Sequence, residues 1–187
     1  YINGHFGKWH LGDIGFHPEN SGFDVNIGGN KHGGPGSYFA PYPYVKLENE
    51  TKGEYLTDRI GDEVVKFIDI NKENNFFAYV PFFSVHTPIQ SKTDYQKKYR
   101  NKDSNEYHNR ADYAGMIQSL DENVGKIIDK IDALNLSDNT LIIFTSDNGG
   151  IRAISDQYPL RAGKGSYYEG GIRAVSYTHL TLPTRRG

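Results

Sequence analysis

The chain has 187 residues, a formal net charge of -2, 36% hydrophobic residues and 24% charged residues. That length suits one domain with a real core, and the near-neutral balance excludes the basic excess expected of a nucleic-acid binder. No apolar run approaches the roughly 20 residues that cross a bilayer, so no membrane span is expected, and the absence of cysteine excludes disulfides within the chain while leaving its redox compartment open.

Fourteen Tyr, ten Phe and 21 Gly suit long ordered loops around a ligand cleft, as in a carbohydrate-handling enzyme. The first motif, Gly7-Lys8-Trp9-His10-Leu11-Gly12, places Lys8 and His10 on one face if the chain is extended, with Trp9 and Leu11 turned into the core. Two cation-capable groups beside glycines make a contact for an oxyanion such as sulfate; the same pattern also fits the polar face of an edge strand. From Gly12 to about Glu54, Gly, Pro, Asn and Tyr dominate without a sustained period, which predicts a long ordered loop region. Leu56, Ile60, Val64, Phe67 and Ile68 then recur at helical spacing, predicting an amphipathic helix over about 55–71. Residues 76–83, an aromatic apolar run, read as a buried strand ending in Ser84-Val85-His86-Thr87-Pro88. His86 there is placed to donate to an anion or protonate a leaving group, or to be a satisfied polar group at the edge of the core.

Met116, Ile117, Leu120, Val124, Ile127, Ile131 and Leu134 predict a second helix over about 109–135, and Thr140–Thr145 a second buried strand. Helix, strand, helix, strand is the order of an α/β fold with a largely parallel sheet. Ligands in such sheets bind beyond the carboxyl ends of the strands, where this chain places its polar residues. Asp147-Asn148-Gly149-Gly150 offers adjacent oxygen ligands that suit a hard cation such as calcium, although Asp-Asn-Gly is also ordinary turn chemistry. Arg161-Ala162-Gly163-Lys164-Gly165 and Glu169-Gly170-Gly171 follow, a glycine-rich setting able to bring Lys164 to an anion or to leave it solvated.

Taken in order, GKWHLG, VHTP, YAGMIQSLDENVGKI, DNTLIIFTSDNGG and PLRAGKGSYYEGGIR resemble the type I sulfatases of the alkaline-phosphatase superfamily, over about residues 1–174. The resemblance implies an alkaline-phosphatase-like α/β fold, a largely parallel central sheet flanked by helices, with residues 1–174 forming part of a sulfatase catalytic domain. It implies sulfate-ester hydrolysis, with Asp147 and Asn148 on a calcium ion and Lys8 and His10 contacting the nucleophile and the sulfate. His86 would bind sulfate near the leaving group, Lys164 would clamp the ester, and Glu169 with its glycines would be structural. The family's nucleophile is a formylglycine made from Cys or Ser. Its signature, and the paired aspartates that complete the calcium site, are expected ahead of Tyr1. That residue and the lone Met116 suggest a truncated chain, so the isolated 187 residues are expected to show no turnover. Residues 175–187 do not continue the pattern and read as a non-native tail in which His179 has no role.

The segment from Gly22 to Tyr42 resembles bacterial sulfatases acting on carbohydrate sulfates, so the expected partner is a sulfated carbohydrate or small molecule and the expected location periplasmic or secreted. Two alternatives stand beside this. One is a phosphodiesterase or phosphonate hydrolase of the same superfamily, against which Asn148 argues, because those relatives usually carry His at that position. The other is a non-catalytic module that binds sulfated glycans.

Overall fold

Three parallel strands organise the front of the molecule in the computed structural model, which describes residues 1–102 and 109–179. Strand β1 (Ile2–Phe6) lies between β2 (Val25–Ile27) and β3 (Phe76–Tyr79), and both pairings are parallel. All three carboxyl ends therefore emerge on one edge. Alternation along β1 sends Phe6 to one face, where its ring meets Phe67 edge-on at 5.1 Å, and His5 to the other, against Phe23 and Tyr79.

Helix α1 (Leu56–Ile70) supplies Phe67 and buries the stripe its sequence spacing predicts, with Leu56, Ile60, Val64, Phe67 and Ile68 all in the core. Full burial of such side chains stabilises by roughly 1.5–3 kcal/mol each before entropy is counted. The helix ends where Asn71 turns its amide back onto the Phe67 carbonyl at 2.9 Å. A short helix α2 (Thr93–Arg100) and the long helix α3 (Ala111–Ala133) complete this layer. Gly61 of α1 and Asn123 of α3 meet so closely that a Cβ on the glycine would lie 2.1 Å from the Asn123 side-chain oxygen. Beyond α3, Asn135 takes a left-handed conformation (φ 57°), and the amides of Asn135 and Leu136 cap the carbonyls of Asp132 and Ile131.

Several expectations are corrected. The loop region between Gly12 and Glu54 contains β2 and a 3-10 turn, Pro18–Ser21. Helix α2 buries no residue, so no apolar stripe announced it. The strand expected over 76–83 stops at Tyr79, ahead of Pro81, which has no N–H to continue a ladder. It is also only half buried. Phe77 is 50% exposed, because α1 covers one face of the sheet and the other carries little beyond the Phe23 loop. Strand β4 (Ile142–Thr145) does not join the parallel sheet but pairs antiparallel with β5 (Ser176–His179), and Ile143 is 60% exposed rather than buried. Strand β5 falls in the stretch read as a tail, of which residues 180–187 lie outside the described residues.

Candidate functional site

The carboxyl edge of the three-stranded sheet carries the first group of candidate residues. As β1 ends, the amide of Gly7 donates to the Ile27 carbonyl and that of Lys8 to the Pro81 carbonyl, at 2.8 Å each. Lys8 is thus held between the exits of β2 and β3. Gly7 has φ +127°, and a Cβ there would lie 2.2 Å from the Pro81 oxygen, so only glycine permits this approach. The backbone then turns again at His10, which is left-handed at φ 59°. Such backbone costs on the order of 1–3 kcal/mol and concentrates at functional sites. A hydrogen bond from the His10 amide to the Asn30 carbonyl, 2.9 Å, fixes it. These turns break the extended geometry expected of Gly7–Gly12: Leu11 is 71% exposed rather than packed in the core, and Trp9 donates its indole N–H to the Phe16 carbonyl.

His86 reaches the same place from the far side. Its turn is clamped by residues from two other segments. The buried Tyr38 hydroxyl donates to the Phe83 carbonyl at 2.6 Å and lies 3.0 Å from that of His86. Thr57 of α1 bonds Ser84 at 2.7 Å, and Tyr55 donates to the Gln90 carbonyl. Burial pushes the Tyr38 hydroxyl well above its ordinary pKa, so it stays a donor at any physiological pH. The Nδ1 of His86 lies 2.9 Å from the Thr87 carbonyl, which only accepts, so Nδ1 carries a proton and Nε2 is left for chemistry.

The two histidines converge on consecutive glycines. A Cβ at Gly33 would fall 2.6 Å from the His10 ring, and one at Gly34 would lie 3.6 Å from Nδ1 of His86. Residues 33–34 therefore pack against both imidazoles along one short stretch of backbone.

Asp147, Asn148 and Lys164 form a second group, assembled by backbone hydrogen bonds. The amide of Gly149 donates to the Gly171 carbonyl, that of Lys164 to the Gly150 carbonyl and that of Gly170 to the Arg161 carbonyl, each at 2.9 Å. The chains pack so tightly that a Cβ at Gly149 would sit 1.8 Å from the Gly170 oxygen. Gly170 and Gly171, in the single turn α4 (Glu169–Ile172), are buried, consistent with the structural part expected of that motif. The Asn148 main-chain carbonyl accepts from the Ser146 hydroxyl at 2.8 Å, and the neighbouring Asp147 is exposed. Ile142 packs against the main core, and Tyr113 of α3 reaches Ser155, which tie this segment to the rest.

Among the described residues no hydrogen bond or ring contact joins the two groups. No three His, Cys, Asp or Glu side chains cluster there to hold a metal. Sequence reasoning missed three positioning residues. His5 is fully buried beneath the Lys8 turn, its ring nitrogens 3.3 Å from the Asn26 side-chain oxygen and 3.2 Å from the Lys8 carbonyl. Burial lowers its pKa below the usual histidine value despite those acceptors. Tyr38 clamps His86, and Asn30 anchors His10. Only Asn30 left a signal, as an Asn following two glycines in a loop, where a carboxamide commonly bonds nearby backbone.

The Sulfatase family profile matches residues 1–175. A sulfatase of Formosa agariphila is 41% identical over 131 residues, covering 64% of this chain and 24% of its own. Mouse arylsulfatase J is 33% identical over 97% of this chain and 32% of its own. Among solved structures, Ps i-CgsB in complex with k-i-k-neocarrahexaose superposes with a TM-score of 0.78 at 34% identity, over 98% of this chain and 45% of that one. The chain thus spans about a quarter to a third of the length of these curated relatives. With the profile match running through every motif described above, the chain belongs to the sulfatase family.

Proposed function

We propose that this chain is part of a calcium-dependent enzyme that hydrolyses sulfate esters of carbohydrates. The observation that carries this is the convergence of His10 and His86 on the consecutive glycines Gly33 and Gly34, at the carboxyl edge of a parallel sheet and close in sequence to Lys8. A tetrahedral anion there would meet nitrogen donors from two directions. Lys8 and Lys164 would offset the charge that builds on the sulfate oxygens, where removal of one preorganised donor typically costs about 2.7–4 kcal/mol of barrier. As the imidazolium, with its Nδ1–H held by the Thr87 carbonyl, His86 would give its Nε2 proton to the departing alcohol, and His10 would serve as the second acid–base group.

The Asp147 carboxylate and the Asn148 carboxamide fit part of a calcium shell, which takes six to eight oxygens; further donors would come from outside this chain. Calcium bound there would draw electron density from the sulfate oxygens. The nucleophile would be a formylglycine on a segment ahead of Tyr1. Carbohydrate esters are favoured as substrates because the superposed Ps i-CgsB holds a neocarrahexaose.

The test uses the full-length protein containing this chain, assayed against an aryl sulfate and a matched phosphate diester. Faster turnover of the sulfate is expected, and a strong preference for the diester would overturn the proposal. The 187 residues alone should release no sulfate.

A further inference from the structure

A cavity of about 380 Å³ lies where Gly34 approaches His86, lined by His32, Gly33, Gly34, Gly36, Tyr44, Thr87 and Pro88. Nothing in the chemistry above uses it. Its volume is at the small end of the roughly 300–1,000 Å³ of ligand pockets. One wall is an aromatic pair, in which the His32 and Tyr44 rings stack at 4.8 Å with an interplanar angle of 17°. Tyr44 is 50% exposed, although it belongs to a loop whose neighbours Tyr42 and Val45 are buried. The opposite wall is backbone at Gly33 and Gly34 together with Thr87 and Pro88, next to the imidazole of His86.

One residue ties this platform to the reacting groups. The Asn30 carboxamide accepts from the His32 amide at 2.8 Å and donates to the Tyr44 carbonyl at 2.9 Å, while its main-chain carbonyl receives the His10 amide. The ring pair and His10 are therefore tied to the same residue, the pair through the Asn30 side chain and His10 through its main-chain carbonyl. Gly36, left-handed at φ +73°, lets Tyr44 close over it, since a Cβ there would lie 2.8 Å from the tyrosine ring. A flat, half-exposed aromatic surface facing polar backbone suits a ligand with one apolar C–H face and a hydroxylated rim. A sugar ring has that chemistry.

We propose that this cavity seats the sugar ring bearing the sulfate, with Tyr44, backed by His32, as its stacking surface and Asn30 as the positioning residue. This rests on the sulfatase proposal and adds where the carbohydrate lies. The test measures binding to the full-length protein containing this chain, kept free of formylglycine so that nothing is turned over, by heteronuclear NMR titration with a sulfated galactan tetrasaccharide, its desulfated counterpart and inorganic sulfate. The sulfated tetrasaccharide should shift the amides of Gly33, Gly34 and Tyr44. Tyr44→Ala should weaken it about tenfold, the equivalent of a lost aromatic contact, Tyr44→Phe should restore it, and inorganic sulfate should bind all three proteins equally. Unchanged tetrasaccharide affinity in Tyr44→Ala, with sulfate still bound beside His10 and His86, would overturn the subsite and leave the sulfatase proposal standing. Equal binding of the sulfated and desulfated tetrasaccharides at Tyr44, with no turnover of an aryl sulfate by the mature protein, would overturn the sulfatase proposal and with it the assignment of this cavity to the sulfated ring; binding of neither tetrasaccharide, with aryl sulfate still turned over, would overturn the subsite alone.

Discussion

The two groups of candidate residues are built by different means. Lys8, His10 and His86 rest on a side-chain core: every buried hydrophobic residue of the described chain lies between Phe6 and Ile131. Asp147, Asn148 and Lys164 lie in a segment whose buried positions are Gly163, Gly170 and Gly171, held by main-chain hydrogen bonds. The first region tolerates local change around a rigid support. The second has almost no side-chain packing to absorb a disturbance, so its precision depends on residues that have no side chain.

The largest effects are expected in catalysis by the full-length enzyme. His86→Ala and Lys164→Ala, one from each region, should each lower kcat/KM about 10²–10³-fold. If both grip one sulfate, the double variant should lose clearly less than the product of the two, whereas simple multiplication would mean that the regions act on separate guests. Next in size, Ile60→Ala removes a fully buried side chain and should cost roughly 2–5 kcal/mol in denaturant unfolding of the 187-residue chain. Gly149→Ala should move that midpoint much less. Its Cβ cannot fit against the Gly170 carbonyl, so hydrogen exchange across 147–171 should rise instead. Equal losses of midpoint in the two variants would erase the distinction between the regions.

Smaller still is a pH effect at His5. Burial holds its folded pKa below the ordinary histidine value of 6.5, so the unfolded chain binds the proton first on acidification. The stability its neutral form contributes is present above pH 6.5, falls as pH drops toward the folded pKa, and is fully lost below it. His5→Gln should flatten that part of the Tm profile, and an unaltered profile would show that His5 does not titrate in this way. The least change is expected for Lys126→Ala. It breaks an exposed 2.7 Å pair with Asp62 between α1 and α3, worth about 0–1 kcal/mol.

How much was legible in advance follows the same division. Helices α1 and α3 announce themselves because burial on one side of a helix imposes a 3.6-residue period, and Ile60, Val64, Met116 and Ile131 occupy the predicted core positions. Helix α2 buries nothing and leaves no such record. Strands β3 and β4 were identifiable as apolar runs, but an apolar run does not say which strand will pair with it, and β4 pairs with β5 rather than with the parallel sheet. Among the site residues, Lys8, His10, His86, Asp147, Asn148 and Lys164 stood out by chemical type and by their places after strands. Tyr38 did not, because a clamp acting 48 residues away has no periodicity, and Asn30, whose carboxamide bonds three backbone groups, left only its place after two glycines.

The sequence by itself determined the apolar stripes of the long helices, the apolar strands and the order of the polar motifs that follow them, since these depend on local spacing and side-chain chemistry. Tertiary structure alone decided that Gly33 and Gly34 would meet two imidazoles, that Tyr38 would hold the turn of His86, and that the Lys164 amide would bond the Gly150 carbonyl. Those arrangements arise from close approaches between distant segments, where the space left by a missing Cβ and the direction of a single carbonyl decide the outcome.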